Sequence, residues 1–145
     1  VYLFIDKNAA SAGALISIAC DSIYMAPGSS MGAATVVDQK GEVLPDKYQS
    51  YMRSIMRSTA EVNGRDPNIA QAMVDPSLYV ADVSDSGKVL TFTPSEAMKN
   101  GFCEAEVNSI KTLLHHAGID KYNIKEQQLT AADKITGFLI TPMIS

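Results

Sequence analysis

The hydrophobic pattern at the start of the chain alternates between short apolar runs and one helical spacing. Val1–Ile5 is a run of β-branched, aromatic and leucine residues, which predicts a buried strand. Apolar residues recur at helical spacing from Ala12 to Asp21, and Ser22–Ala26 forms a second apolar run before Pro27. This order of strand, helix and strand predicts a right-handed βαβ crossover and a parallel sheet.

The middle of the chain carries a loop-rich segment followed by a long helix. Residues 27–45 are rich in Gly, Ser and Ala, which predicts loops with little regular structure. A helix is predicted from Lys47 to Val62, and Asn63 and Gly64 end it. Its apolar positions fall on one face: Tyr48, Tyr51, Met52, Ile55 and Met56.

The pattern after this helix is weaker and changes type several times. It predicts a short helix after Asp66–Pro67, a hairpin between Leu78–Val83 and Lys88–Phe92, a helix from the capping box at Thr93 to Asn100 and a helix from Ser109 to Ala117. From Asp120 onward the sequence is polar and weakly periodic, which is typical of a linker.

Composition narrows the classes of function. The chain has 145 residues, 46% hydrophobic and 19% charged, as expected of one globular domain. Its net charge of −4 argues against a nucleic-acid partner. Neither a metal-ligand spacing nor a phosphate-binding loop occurs, so no metal and no cofactor are expected. Cys20 and Cys103 do not form a disulfide framework, and we expect two buried free thiols.

The stretch Asn8–Ala14, NAASAGA, places one reactive side chain, Ser11, among small residues. A serine at a helix start could be a nucleophile, because the unpaired N–H groups of the first turn can hold an oxyanion and Ala12 would be the first donor. Serine is also an ordinary helix N-cap. The pattern alone leaves both interpretations open.

A serine nucleophile needs a base, and the chain offers histidines or a lysine. His115 and His116 adjoin each other near a helix end, without the context of a catalytic triad. Lys47 lies in the first turn of the long helix, where the positive helix end, and burial if it occurs, would favour the neutral amine. A pairing with Asp46 would oppose this, and a solvated surface lysine is the alternative.

Four segments together resemble a known family. They are Ala9–Ala14 (AASAGA), Met25–Ala33 (MAPGSSMGA), Asn63–Asp66 (NGRD) after a helix opened by Lys47, and Leu90–Gly101 (LTFTPSEAMKNG). The chain resembles the ClpP/crotonase superfamily, and within it the membrane-bound ClpP-class serine proteases found N-terminal to NfeD-type membrane domains. The resemblance covers roughly residues 1–117.

The resemblance implies a serine endopeptidase with a Ser-Lys dyad. Ser11 would attack the peptide carbonyl, Lys47 would transfer the proton, and the Ala12 N–H would be one oxyanion donor of the acyl-enzyme pathway. The histidine of the soluble ClpP branch would fall at Ala34, which disfavours a Ser-His-Asp triad and favours the lysine. The other oxyanion donor of the family is a glycine N–H on a segment preceding the first strand here.

The resemblance also implies an organisation. The expected fold is α/β, with repeated ββα units and a mainly parallel sheet flanked by helices, its N-terminal part missing from this chain. Residues 1–119 would be the protease domain and 120–145 a linker to a membrane domain outside the chain. The family further implies an apolar peptide or stomatin-like substrate, membrane association on the extracytoplasmic side and homo-oligomers. The apolar face of the long helix is a candidate contact for such an oligomer.

Two other functions share this fold class. A catalytically silent binding or assembly domain would retain Ser11 for packing. A crotonase-type acyl-CoA enzyme would use backbone N–H groups and acidic residues, but no carboxylate lies at a suggestive spacing beside Ala12.

Overall fold

The structure, a computed structural model, describes residues 1–127 and consists of two ββα units followed by shorter elements. The first unit contains β1 (Tyr2–Ile5), β2 (Asn8–Ala10) and α1 (Ala12–Ile18). The second unit contains β3 (Ser22–Met25), β4 (Ser30–Gly32) and α2 (Asp46–Val62). The remaining elements are α3 (Pro67–Ala72), β5 (Thr91–Phe92), α4 (Pro94–Lys99), β6 (Ala105–Glu106) and α5 (Ile110–His116).

Corresponding strands of the two units pair with each other. β1 lies parallel to β3, and β3 lies parallel to β6, in one three-stranded sheet. β2 lies parallel to β4 in a second sheet, where β5 adds an antiparallel edge. The predicted pairing of the first and second apolar runs in parallel is therefore confirmed.

The two helices of the ββα units share the core with both sheets. Ile18 of α1 and Met56 of α2 are fully buried, together with Met25 of β3 and Met31 of β4. The predicted apolar face of α2 divides in two. Its methionines pack inward, whereas Tyr48 is 44% and Tyr51 is 70% exposed.

The predicted hairpin between residues 78–83 and 88–92 is wrong. The chain instead forms local turns, in which the amide of Val80 donates to the Ser84 hydroxyl and the amide of Gly87 donates to the Pro76 carbonyl. Only Thr91–Phe92 is extended there, and it pairs with β4. A partner distant in sequence therefore replaces the local partner that the turn residues suggested.

The loop expected over residues 27–45 contains more order than its composition indicated. It includes β4, and Val37 forms an antiparallel bridge with Val43. β2 and β6, of three and two residues, were also not anticipated, because so short a run has no measurable periodicity.

The predicted helix caps and free thiols are confirmed. Thr93 and Glu96 form the predicted capping box, and Asp66 accepts a hydrogen bond from the Asn68 amide. Cys20 and Cys103 are buried and free, and burial raises the pKa of the Cys103 thiol to about 11. Within residues 1–127 no helix is both long and apolar enough to cross a membrane. Most of the predicted linker, from residue 128 on, lies outside the described residues.

Candidate active site

Ser11 occupies a strained turn between β2 and α1. Its backbone has φ 56° and ψ −123°, a conformation that residues with a Cβ rarely adopt, at a cost of about 1–3 kcal/mol. The strand ladder holds it there: Ala10 pairs with Gly32, and the Ser11 amide donates to the Ala33 carbonyl at 3.2 Å. Strain of this kind persists only where the surrounding structure imposes it, and it is concentrated at functional sites.

The Ser11 hydroxyl is not used for helix capping. Ser11 is the N-cap residue of α1 by position, yet its side chain makes no capping hydrogen bond, and the residue is exposed. The interpretation of Ser11 as an ordinary side-chain cap is therefore wrong. A serine that a strained strand-to-helix turn presents to solvent has the geometry of a nucleophile elbow.

The backbone that pairs with the Ser11 turn is crowded at Gly32 and Ala33. Gly32 has φ 136°, and a Cβ placed on it would lie 2.4 Å from the Leu90 carbonyl oxygen. Ala33 has φ 46° and its amide donates to the same carbonyl at 3.0 Å. β5 thus presses directly on the strand that holds Ser11, and no larger side chain fits at position 32.

Ala12 begins α1, directly after Ser11. Residues in the first turn of a helix have no intrahelical acceptor for their N–H groups. The Ser11 carbonyl accepts from the Ala14 amide at 3.0 Å, so the helix winds immediately behind the serine. Ala12 is itself an exposed residue.

Lys47 lies in the first turn of α2, and the structure does not bring its amine to Ser11. In residues 1–127, Nζ forms no hydrogen bond with the Ser11 hydroxyl and instead lies 5.0 Å from the centroid of the Tyr48 ring. The side chain is exposed, so the burial considered for it does not occur. Asp46, the possible ion-pair partner of Lys47, instead pairs with Arg53 at 3.2 Å.

Gln49 is a site residue that sequence analysis missed. Its side-chain amide is buried and pairs with both polar groups of Val36: Oε1 accepts from the Val36 N–H at 2.9 Å and Nε2 donates to its carbonyl at 2.7 Å. Nε2 also donates to the Leu44 carbonyl at 3.1 Å. Gln49 therefore fastens the first turn of α2, which carries Lys47, to the segment before it. A signal existed, since Gln49 lies three residues before Met52 and seven before Met56, on the core-facing stripe.

Arg65 belongs to the sequence motif Asn63–Asp66, and its side chain also connects α2 with the end of α1. It is buried, and its guanidinium donates to backbone carbonyls just after α1 and at its last residue. Burial lowers the pKa of Arg65, while the nearby carboxylates of Glu104 and Asp21 oppose the shift. No local pattern could have revealed this contact, because it joins positions 44 to 47 residues apart.

His116 contacts Tyr24 of the first sheet. Nδ1 of His116 lies 3.4 Å from the Tyr24 hydroxyl, and the two rings meet edge to face at 5.5 Å between centroids. Ala34, the position of the histidine in the soluble ClpP branch, is fully buried and its amide donates to Met73.

A groove of about 370 Å³ runs beside β1, β2 and α1. Leu3, Ile5 and Ile16 give it apolar walls, and Gly13, two residues after Ser11, lies at its border. An extended apolar segment therefore has a surface to contact close to the serine turn.

Comparison with known proteins identifies a family and two relatives, one of which is named as a protease. The family described as the N-terminal domain of NfeD1b matches residues 1–127. The membrane protein NfeD1b of Bacillus subtilis (strain 168) is 37% identical over 145 residues, which cover 99% of this chain and 33% of that protein. The membrane-bound protease PH1510 of Pyrococcus horikoshii is 33% identical over 112 residues, covering 74% of this chain and 23% of the relative. The chain thus spans a third or less of the length of these relatives.

Solved structures of a related protease confirm the fold class. A serine-to-alanine mutant of the 1510-N membrane-bound stomatin-specific protease superposes with a TM-score of 0.66 at 28% identity, covering 79% of this chain and 54% of that one. A lysine-to-alanine mutant of that protease in complex with a substrate peptide gives a TM-score of 0.75 at 23% identity, with 97% and 70% covered. The expected ClpP-like α/β fold, with its parallel pairing of ββα units, is present.

Proposed function

The chain belongs to the NfeD1b N-terminal domain family, and from this membership we propose that it is a serine endopeptidase in which Ser11 is the nucleophile and Lys47 the general base. One observation carries the proposal: the Ser11 hydroxyl is exposed, makes no cap, and lies on a strained turn that costs stability. A structural serine at a helix start would use its hydroxyl to cap the helix.

The reaction follows acyl-transfer chemistry. The neutral amine of Lys47 takes the proton as Ser11 Oγ bonds to the peptide carbonyl carbon, and the Ala12 N–H stabilises the oxyanion. Lys47 then gives the proton to the leaving amine, the C–N bond breaks and an acyl-enzyme remains. Water, deprotonated by the same amine, then attacks the ester carbonyl carbon. The ester C–O bond breaks, the carboxylic acid product leaves, and Lys47 returns the proton to Ser11 Oγ.

The dyad requires Lys47 to leave the face of Tyr48 and reach Ser11. Its side chain is long and exposed, and catalytic contacts are often loose until substrate is bound. A peptide lying in the groove beside β1 and α1, which Gly13 borders, would exclude water near the serine turn. Gln49 keeps the helix start that carries Lys47 in place during this rearrangement.

The relatives support a proposal for the substrate and for the membrane association of the longer protein. The related protease is described as membrane-bound and stomatin-specific, and one of its structures holds a substrate peptide. We extend this to an apolar segment of a stomatin-like protein as substrate here. In the longer protein, the domain would be tethered to a membrane on the extracytoplasmic side, and copies would associate through the exposed tyrosines of α2.

Labelling and cleavage by matched variants test the dyad. The parent is expected to be labelled on Ser11 by a fluorophosphonate and to cleave an apolar reporter peptide. Ser11→Ala abolishes both, whereas Lys47→Met slows both by about 10²–10⁴-fold. The exposed residues Ser50 and Lys40 provide the controls Ser50→Ala and Lys40→Met, which retain the parent rates. A parent that is not labelled, or Lys47→Met reacting at the parent rate, contradicts the proposal.

A catalytically silent assembly domain is the second candidate function. The observation that favours it is the distance of Lys47 from hydrogen-bonding contact with Ser11, combined with exposed tyrosines on α2. It predicts concentration-dependent association that Tyr51→Ser removes, together with no serine labelling. Serine labelling, measured beside sedimentation of the parent and of this variant, distinguishes the two functions, because both allow association through the tyrosines but only an active protease is labelled, in either assembly state.

A further inference from the structure

Arg65 joins the C-terminal ends of the two helices whose N-terminal ends carry Ser11 and Lys47. α2 ends at Val62, and the chain turns so that the Arg65 amide donates back to the Ala60 carbonyl at 2.8 Å. The same residue extends its side chain to the end of α1. Nη1 donates to Ile18 and Cys20 at 2.9 Å each, and Nη2 donates to Asp21 at 3.3 Å.

The guanidinium supplies what the end of α1 lacks. The last turn of α1 contains no basic residue of its own, and the carbonyls at a helix C-terminus carry partial negative charge. Arginine can reach several acceptors at once, because its donors form a rigid fork. The contact thus fastens α2 to α1 at one defined point.

Burial of this charge is costly, which argues that the residue does more than fill space. Arg65 is 7% exposed, forms no ion pair within residues 1–127, and its buried Nε has no partner there. An apolar side chain of similar volume would pack with a smaller desolvation penalty. What an apolar side chain could not do is hold three carbonyls at and just beyond the end of a neighbouring helix.

The placement of the proposed dyad depends on this junction. α1 is fixed at its start, where the Ser11 amide pairs with Ala33. α2 has 17 residues, so it is about 25 Å long, and a rotation of a few degrees about its C-terminal end moves Lys47 by about 1 Å. Displacements of this size are enough to reduce catalysis severely.

We propose that Arg65 is a positioning residue that sets α2 against α1 and thereby the reach of Lys47 to Ser11. This inference rests on the proposed function, since it assumes the dyad. Arg65 touches neither substrate nor the reacting atoms. It acts through the relative position of two helices that contact each other.

A double-mutant cycle separates positioning from stability. The rate constant of fluorophosphonate labelling and the fraction of protein labelled are measured separately for Arg65→Met, Lys47→Met and the double variant. Arg65→Met is expected to lower the rate constant by about 10–100-fold, and Arg65→Lys by less, because one ammonium reaches fewer carbonyls. In the Lys47→Met background, Arg65→Met changes the rate constant by less than about twofold, since both act on one step.

The control is Leu113→Ala, a cavity variant in the second hydrophobic cluster around Tyr24 and Val107. It lowers stability and the labelled fraction without changing the rate constant. The inference is overturned if Arg65→Met behaves like Leu113→Ala, or if its effect multiplies in full with that of Lys47→Met. If the parent is not labelled, or Lys47→Met reacts at the parent rate, the proposed function fails first and the inference with it.

Discussion

The two ββα units of this protein are alike in pairing and unlike in the step from second strand to helix. In the first unit, β2 passes into α1 through one residue, Ser11. In the second unit, residues 33–45 separate β4 from α2, and Lys47 follows in the first helical turn. The proposed nucleophile and base thus lie at equivalent points of two units that are built differently.

The difference concerns what holds each reactive group. Ser11 is held by backbone hydrogen bonds on both sides, since its amide donates to Ala33 and its carbonyl accepts from Ala14. These contacts hold its backbone at the strained φ of 56°. The connection before α2 is held by the side-chain amide of Gln49 together with a backbone hydrogen bond from the Leu44 amide to the Val36 carbonyl. Backbone ladders fix position closely, whereas a connection held largely by one side chain allows adjustment. A fixed nucleophile and an adjustable base suit a site that completes itself on substrate binding.

The largest test breaks the backbone frame of the first unit. Gly32→Ala combines a strained φ with a Cβ 2.4 Å from the Leu90 oxygen, and we expect a loss of about 3–5 kcal/mol in the free energy of unfolding. Gly28→Ala is the matched control, because its φ of 78° is strained but nothing lies within 4 Å of the added Cβ. It should lose about 1 kcal/mol. Urea unfolding measures both, and equal losses contradict the frame described for Ser11.

A smaller loss in the free energy of unfolding is expected when Gln49, which holds the connection before α2, is replaced. Gln49→Leu leaves the Val36 N–H without its acceptor, whereas the Val36 carbonyl still accepts from the Leu44 amide, and we expect a cost of about 2 kcal/mol. Hydrogen exchange should show loss of protection at the Val36 amide with the Ser11 amide unchanged, and serine labelling should slow. Gln39→Leu, on the exposed part of the same connection, is the control. Equal loss of protection at Ser11 would show that the two units are not held independently.

The smallest effect sharpens the claim of strain at Ser11. Glycine adopts positive φ without penalty, so Ser11→Gly should be more stable than Ser11→Ala by about 1 kcal/mol. Ser50, inside α2, gives the reference pair, and there Gly should be less stable than Ala by about 1 kcal/mol. Thermal unfolding of the four variants reveals the reversal of sign. The same order at both positions would mean that Ser11 stores no strain.

Local chemistry explains where the sequence predictions of the fold succeed. The buried runs Tyr2–Ile5 and Ser22–Met25, the long helix and the capping box at Thr93 each depend on neighbours within a few residues. The hairpin failed because its turn residues are equally compatible with local turns, while the partner of Thr91–Phe92 lies about sixty positions earlier, in β4. Strands of two or three residues carry too little pattern to predict.

The sequence by itself determined that a lone serine among small residues would follow a strand, with a lysine opening the long helix. Only the tertiary structure decided that the serine turn is strained and its hydroxyl free, since β4 and β5 impose that conformation from outside the motif. It also assigned Gln49 and Arg65 their contacts, with carbonyls up to 47 residues away. Periodicity and caps are local properties of a chain, but strain and buried hydrogen bonds exist only once distant segments meet.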